Sequence, residues 1–195
     1  MTEANADAIA RSGRPLVPHP TALPRSAVEL RAAVTVHRDR LAFWFELRGD
    51  VAALAVARES RSPGRVDRLW RHTCFEAFVA AEEGARYLEL NVAPSRDWAL
   101  FAFDDYRSGM RAAPVIHVPD LSVHRDPDIL RVEAVLALSD VRGGLGAPPA
   151  LAGLAAVIEE TGGRLSYWAS RHPGERPDFH RRDGWTVAVY GVPGA

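Results

Sequence analysis

Six consecutive residues, Tyr87-Leu-Glu-Leu-Asn-Val92, place an aromatic ring, a carboxylate and an amide on every second position. Alternation of this kind is the period of a strand with one face in a core, so Leu88, Leu90 and Val92 point one way and Tyr87, Glu89 and Asn91 the other. An ordinary solvated strand face collects Lys, Thr, Ser and Arg. A ring, an acid and an amide in a row instead suit a surface that stacks on something flat and accepts hydrogen bonds from hydroxyls.

The same rule applied to neighbouring segments finds companions for this row. In Cys74-Phe-Glu-Ala-Phe-Val79, the apolar row is Phe75, Ala77 and Val79, and Glu76 shares the other row with Cys74 and Phe78. In Leu154-Ala-Ala-Val-Ile-Glu159, Leu154, Ala156 and Ile158 suit the core, leaving Glu159 opposite with Ala155 and Val157. Around Trp168 the rows are Ser166, Trp168 and Ser170 against Leu165, Tyr167 and Ala169. Paired in one sheet, these strands gather Glu76, Tyr87, Glu89, Asn91, Glu159 and Trp168 on a single surface, and a register slip of one residue sends any member to the other side. The plainer alternative is that Tyr87 and Trp168 pack, Glu89 and Asn91 brace loops, and Glu76 and Glu159 form salt bridges with arginines such as Arg107 or Arg171. A second cluster follows in the irregular stretch from Ser170 to Trp185, where His172, Asp178 and His180 occur among prolines and glycines. Its length marks it as functional or mobile, and its closeness to Trp168 sets it, with Trp70 and Trp98, at the rim of the same surface.

Other chemistries find less support. His72-x-Cys74 and the His172, Asp178, His180 group have donor atoms for zinc but lack its recurring spacings. Phe103-Asp-Asp-Tyr106 is oxygen-rich without the regular spacing of a calcium loop. No G-x-S-x-G elbow occurs, Cys74 sits in mid-strand as a small hydrophobe, and Gly143-Gly-Leu-Gly146 lacks the residues of a phosphate-binding loop and reads as a plain loop. No catalytic residue and no metal ligand is therefore assigned. Glu76, Glu89 and Glu159 would serve as acid and base on a glycosidic bond if two of them lay at a suitable separation. Binding requires less, since flat rings stack on the apolar face of a sugar while acids and amides bridge its hydroxyls.

The elements that must position these residues follow from the chain as a whole. A length of 195 residues with 47% hydrophobic content is enough for one domain with a sizeable core. Net charge is −1, and all 24 basic residues are arginine, so no broad basic field invites nucleic acid. A single cysteine precludes an internal disulfide; without an export-like leader, a cytoplasmic location is expected, and no apolar run is long enough to cross a membrane. Residues 1–24, with four prolines in the last eleven positions, predict a flexible or extended lead-in with one edge strand near its end; 25–195 form a single ligand-binding domain. Short segments then follow at about 29–37, 40–48, 52–58, 74–81, 86–93, 97–103, 129–138, 153–160, 164–170 and 185–191. Turns separate them, including a tight hairpin at Thr161-Gly-Gly163. Such a series predicts an all-β, antiparallel two-sheet sandwich, with a helical turn near 104–111 or 138–146. The segment 150–160 has helix-favouring alanine and leucine, but the hairpin argues for a strand.

Trp70-Arg-His-Thr-Cys-Phe-Glu76, followed by Tyr87-x-Glu-x-Asn91 and Pro94-Ser-x-x-Trp98, resembles the core of DOMON-like domains and of their relatives, the family 9 carbohydrate-binding modules. Asp105-Tyr-Arg-x-Gly-Met110, Ala156-Val-Ile-Glu159, Ser166-Tyr-Trp168 and Pro177-Asp-Phe-His180 are similar to an uncharacterised bacterial branch of DOMON-like proteins, and coverage runs from about Leu69 to His180. The resemblance implies a jelly-roll-like sandwich whose concave sheet binds a small polar ligand, a saccharide or sugar-like metabolite. Trp168 and Tyr87 then stack, Glu76, Glu89, Asn91 and Glu159 receive hydroxyls, and Trp70, Trp98 and the His172 to His180 loop form the rim. The alternatives are a carboxylate-dependent sugar-modifying enzyme, which the three glutamates suggest, and, from the resemblance, a haem protein ligated by Met110 with His172 or His180, with calcium a further option. The pattern departs in two places: Asn91 and Pro94 are separated, and Thr73 stands where many sugar-binding relatives have aspartate. Nothing in these residues names a protein partner.

Overall fold

The computed structural model describes residues 13–189, which are mostly β-strand. The strands are β1 (Arg14–Pro18), β2 (Val28–His37), β3 (Arg40–Gly49), β4 (Cys74–Ala80), β5 (Tyr87–Val92), β6 (Trp98–Phe103), β7 (Arg111–Ala112), β8 (Asp120–Asp126), β9 (Ile129–Ala137), β10 (Leu151–Glu159), β11 (Leu165–Ala169) and β12 (Val187–Ala188). They form one antiparallel sheet in the order β7-β6-β5-β4-β10-β11-β1-β2-β3-β9-β8, with β12 added beside β10. The antiparallel all-β expectation holds. In place of two separate sheets, however, there is one sheet that curls until its two halves face each other. The junction is β1, where Leu16 pairs with Leu30 of β2 and the next residue, Val17, pairs with Ala169 of β11.

The strand pattern explains the curl. Each half has one continuous apolar row: Leu41, Phe43, Phe45 and Leu47 in β3, with Leu130, Val132, Ala134 and Leu136 in β9, against Phe75, Ala77 and Val79 in β4, with Leu88, Leu90 and Val92 in β5. Burying each large side chain is worth roughly 1.5–3 kcal/mol, so the two rows close on each other. They meet at Phe45 and Phe75, whose ring centroids lie 5.3 Å apart. One end of this core is covered by α1 (Leu138–Leu145), which inserts Leu138, Val141 and Leu145 and brings Gly144 against Leu88. The glycines expected as a loop therefore belong to the end of this helix, where Gly146 ends it in the left-handed conformation suited to glycine.

Further differences have local causes. Within the expected lead-in, β1 is an interior strand rather than an edge, and residues 1–12 lie outside the described residues. The segment at 52–58 is a 3-10 turn, Val51–Ala53, followed by one bridge from Leu54 to Glu160. The segment at 185–191 contributes only β12, and its residues 190–191 lie outside the described residues. β8 is an edge strand in which only Leu121 and Val123 alternate toward the core before the charged run His124 to Asp126, a row too short to mark it in the sequence. The 150–160 segment is β10, joined to β11 by the Thr161-Gly-Gly163 turn with Gly163 at φ 77°.

Candidate functional site

The outward face of the second half of the sheet is buried too. Register places Glu76 beside Asn91 and Ala155, Phe78 beside Glu89, and Ala80 beside Tyr87, so the polar row of β5 and Glu76 share one face as the alternation predicts. Phe101 and Phe103 of β6 join them opposite Glu89 and Tyr87. The cover is the stretch 170–186, a strap fastened at both edges. Arg182 donates to the backbone carbonyls of Ala81, Glu82 and Gly84, and Trp185 stacks on Phe78 at 5.7 Å while its Nε1–H donates to the Phe179 carbonyl at 2.8 Å. Gly153 makes room for this ring; a Cβ there would lie 2.2 Å from Trp185 Cδ1.

Beside the strap a cavity of about 470 Å³ opens onto the face. Its floor holds Glu76 and Glu89, its walls hold the rings of Trp70, Phe103, Tyr167 and Phe179, and Arg107 and His180 reach in from the side. Glu76 is 3% exposed, and its Oε1 has no hydrogen-bond partner among the described residues. Asn91 is fully buried and donates through Nδ2 to Glu89 Oε1 at 2.7 Å, so it holds the acid rather than facing the cavity. The Tyr87 hydroxyl accepts from the Arg107 backbone N–H at 3.2 Å and lies 2.7 Å from His180 Nδ1. The phenol and Nδ1 share one hydrogen bond, and the other ring nitrogen of His180, Nε2, lies 3.8 Å from Glu89 Oε2.

Burial governs the titration of this group. Burial, reinforced by the charge of Glu89, pushes Glu76 well above the usual carboxylate range, against the pull of Arg107. Burial pushes Glu89 up to about 6, opposed by the Asn91 hydrogen bond and Arg107. Burial and the nearby Arg107 charge bring His180 down to about 4, and burial takes Tyr87 up to about 12. His180 and Glu89 therefore seldom carry opposite charges together: the imidazole is mostly neutral above about 4, and the carboxylate ionises near 6. Arg107, at a positive φ of 52°, spends its guanidinium on Asp178 at 2.9 Å. Asp178 lies below its usual range because hydrogen bonds from Tyr106 and Arg107 outweigh its burial. Loop and strap are thus clasped across the mouth.

The remaining expectations divide. Trp70 lines the cavity, edge-on to Phe101 at 6.0 Å. Trp168 does not: it pairs with Ala156, so it points into the core between the halves, where its Nε1–H donates to Ser166 at 2.9 Å. Its neighbour Tyr167 has the cavity position instead. Trp98 likewise faces the core, under the Arg65 guanidinium at 4.9 Å, because it pairs with Val92. Glu159 is on the right face but beyond the cavity, in an adjoining groove where its Oε2 lies 2.7 Å from His72 Nδ1. His172 is also outside, donating through Nε2 to the Val17 carbonyl at 2.8 Å. Sequence reasoning did not place Tyr167, Phe103, Phe179, Arg71 and Arg107 in the site; only Tyr167 had a usable signal, its position one residue from Trp168.

The cavity bears on the cofactor options. Met110 and His180 both line it; His180 Nδ1 is taken by the Tyr87 hydroxyl, and its Nε2 lies 3.8 Å from Glu89 Oε2, beyond hydrogen-bond distance. His172 lies elsewhere. In the Phe103-Asp-Asp-Tyr106 loop, Asp104 is paired with Arg86 and Arg111, which leaves its charge already answered. Among the described residues no three His, Cys, Asp or Glu side chains cluster as metal ligands. Cys74 is buried beneath the site, its thiol pushed well up by burial and by the nearby glutamates, which keeps it inert.

No family model and no curated protein matches the chain. Among solved structures, a candidate carbohydrate-binding protein from Bacteroides uniformis ATCC 8492 superposes with a TM-score of 0.67 at 14% identity, over 96% of this chain and 92% of its own. Two structures of a family 9 carbohydrate-binding module from Caldicellulosiruptor kristjanssonii, with glucose and with cellotriose, superpose less closely, at TM-scores of 0.47 and 0.43 and identities of 15% and 16%. They cover 82% of this chain and 74% and 72% of theirs. The first similarity shows that the curled fold recurs nearly end to end in another protein.

Proposed function

We propose that the chain is a saccharide-binding domain, related to the DOMON-like and family 9 carbohydrate-binding modules its motifs resemble, with its site in the cavity of the strap-covered face. The observation that carries the reading is the combination of flat rings with buried hydrogen-bonding groups in one cavity: Trp70, Phe103, Tyr167 and Phe179 beside Glu76, Glu89 and Arg107. Rings of this kind cover the apolar face of a pyranose, and carboxyl groups reach its hydroxyls. The site residues of this reading are Trp70, Glu76, Glu89 and Tyr167 as contacts, with Tyr87, Asn91, Arg107 and His180 holding the acids and the strap in place. The name of the Bacteroides uniformis protein, which shares the fold, is in keeping with it.

The test is a thermal-shift screen of the purified chain against mono- and oligosaccharides, run in parallel on Tyr167→Ala. A ligand at a hundred times its Kd adds roughly 2.7 kcal/mol, a rise in Tm of about 5–10 °C for a chain of this size. A shift of that order that vanishes in Tyr167→Ala is expected. The absence of a shift with every sugar overturns the reading.

A further inference from the structure

We propose that the floor of this cavity selects a protonated amine, so that the preferred ligand is an amino sugar with a free ammonium group rather than a neutral saccharide. The inference rests on the saccharide reading and narrows it.

Its basis is an imbalance of donors and acceptors. Glu76 presents a buried, unpartnered Oε1 to the cavity, and Glu89 beside it has only Oε1 engaged, by Asn91. No element packed around the two acids supplies a free buried cation. β4 brings the Cys74 thiol and Phe78, β5 brings Tyr87 and Asn91, β6 brings Phe101 and Phe103, and β10 brings only Ala155 and Val157. From the loops, Arg107 is committed to Asp178, His180 has its Nδ1 on Tyr87, and Arg71 stands exposed at the mouth.

A hydroxyl brings one donor and no charge, so it leaves the acidic pair uncompensated when the acids ionise. An ammonium brings three donors, no acceptor and the missing charge. The walls suit it as well, since a cation near ring faces is stabilised by their electron density. In the free protein the two acids hold their protons more tightly than usual, in keeping with an uncompensated acidic pair. An arriving ammonium displaces protons from them, so affinity for the amine rises as pH increases through the range in which Glu89 titrates.

Isothermal titration with glucosamine, glucose, N-acetylglucosamine and cyclohexylamine, near pH 6 and again near neutrality in two buffers of different ionisation heat, tests the inference. Expected is binding of glucosamine about ten- to a hundredfold tighter than of glucose or N-acetylglucosamine, the size of one charge-assisted hydrogen bond, with net proton release. Glu76→Gln, its folding checked by its melting curve, should lose that preference; should it fail to fold, Glu89→Gln reads the same effect. Equal affinities for glucose and glucosamine overturn the inference and leave the saccharide reading standing. Cyclohexylamine binding as tightly as glucosamine supports the ammonium and overturns the saccharide. No binding of any of the four overturns both.

Discussion

The two outward faces of the curled sheet each contain a mid-strand glutamate, and the fold treats the two in opposite ways. On the first half, Glu46 of β3 is 3% exposed, but Arg48 lies 2.6 Å from one carboxylate oxygen and Arg131 of β9 lies 2.7 Å from the other. Burial raises its pKa, and the two arginines more than reverse this, leaving the acid below its usual range. On the second half, Glu76 is equally buried without a hydrogen-bond partner, and burial pushes it well above the usual carboxylate range. On the first half β9 alternates buried and half-exposed residues as an ordinary solvated strand does and β3 is buried on both sides only from Phe43 to Leu47, whereas β4, β5 and β6 are buried on both sides throughout. A paired acid in a strand is architecture. On the proposed reading, the unpaired one beside the cavity is the group a ligand would compensate.

The sharpest break of the comparison lies between two adjacent residues. Trp168→Ala removes a ring from the core shared by both halves and is expected to cost about 3–5 kcal/mol, read as a large fall in denaturant midpoint. Tyr167→Ala, on the cavity side, should lose ligand binding at a small stability cost. Similar destabilisation by both would mean that the strap face is packing like the rest.

pH separates the two faces next. The fold raises Glu89 from 4.5 to about 6, so its contribution is fully present below 4.5 and is lost as pH rises through 6, a change of roughly 2 kcal/mol. His180, lowered from 6.5 to about 4, works the other way: its contribution is present above 6.5 and is lost as pH falls through 4. Glu89→Gln removes one of the two carboxyl slopes that oppose His180, Glu76 keeping its own, so Tm should climb between pH 4.5 and 6 by about 4–8 °C more than in wild type. Glu46, lowered rather than raised, titrates below this window, and Glu46→Gln should leave the profile within it unchanged.

Substitution at neutral pH then compares the acids directly. Glu46→Gln forfeits charge-assisted bonds to two arginines and should cost about 1–2 kcal/mol, whereas Glu76→Gln should stay within about 1 kcal/mol of wild type while altering binding. Equal losses in chemical denaturation would erase the distinction. Smallest is the clasp: Arg107→Ala breaks a half-exposed pair with Asp178, should cost under about 1 kcal/mol, and should show chiefly as faster hydrogen exchange in residues 104–111 and 176–180.

Much of this face was legible in the sequence, because strand alternation places Tyr87, Glu89 and Asn91 together whatever the fold, and Glu76 follows from the apolar row of its own strand. Trp168 was misplaced for a specific reason. Alternation divides a strand into two rows without saying which row faces the core; only the turn decides. The three residues Thr161-Gly-Gly163 set Glu160 opposite Arg164, which puts Trp168 opposite Ala156, a residue whose own row is apolar. Trp98 fails likewise through its pairing with Val92. Arg107 and Phe179 could not be found this way, since they reach the cavity from irregular segments whose course depends on contacts distant in sequence. The curl was equally hidden: two prolines in Arg14–Pro18 conceal a strand that belongs to both halves at once.

That shared strand has a kinetic meaning. β1 can pair with β2 as soon as a short stretch of chain has formed, but its other partner, β11, lies near the far end of the described residues, with Val17 meeting Ala169. Closing so long a loop is an entropically late event, which places the joining of the halves after each has assembled its own hairpins. β11 carries Tyr167 and leads directly into the strap, so the cavity would be completed in the same late step. Refolding followed by ligand binding would then lag behind refolding followed by tryptophan burial in the first half.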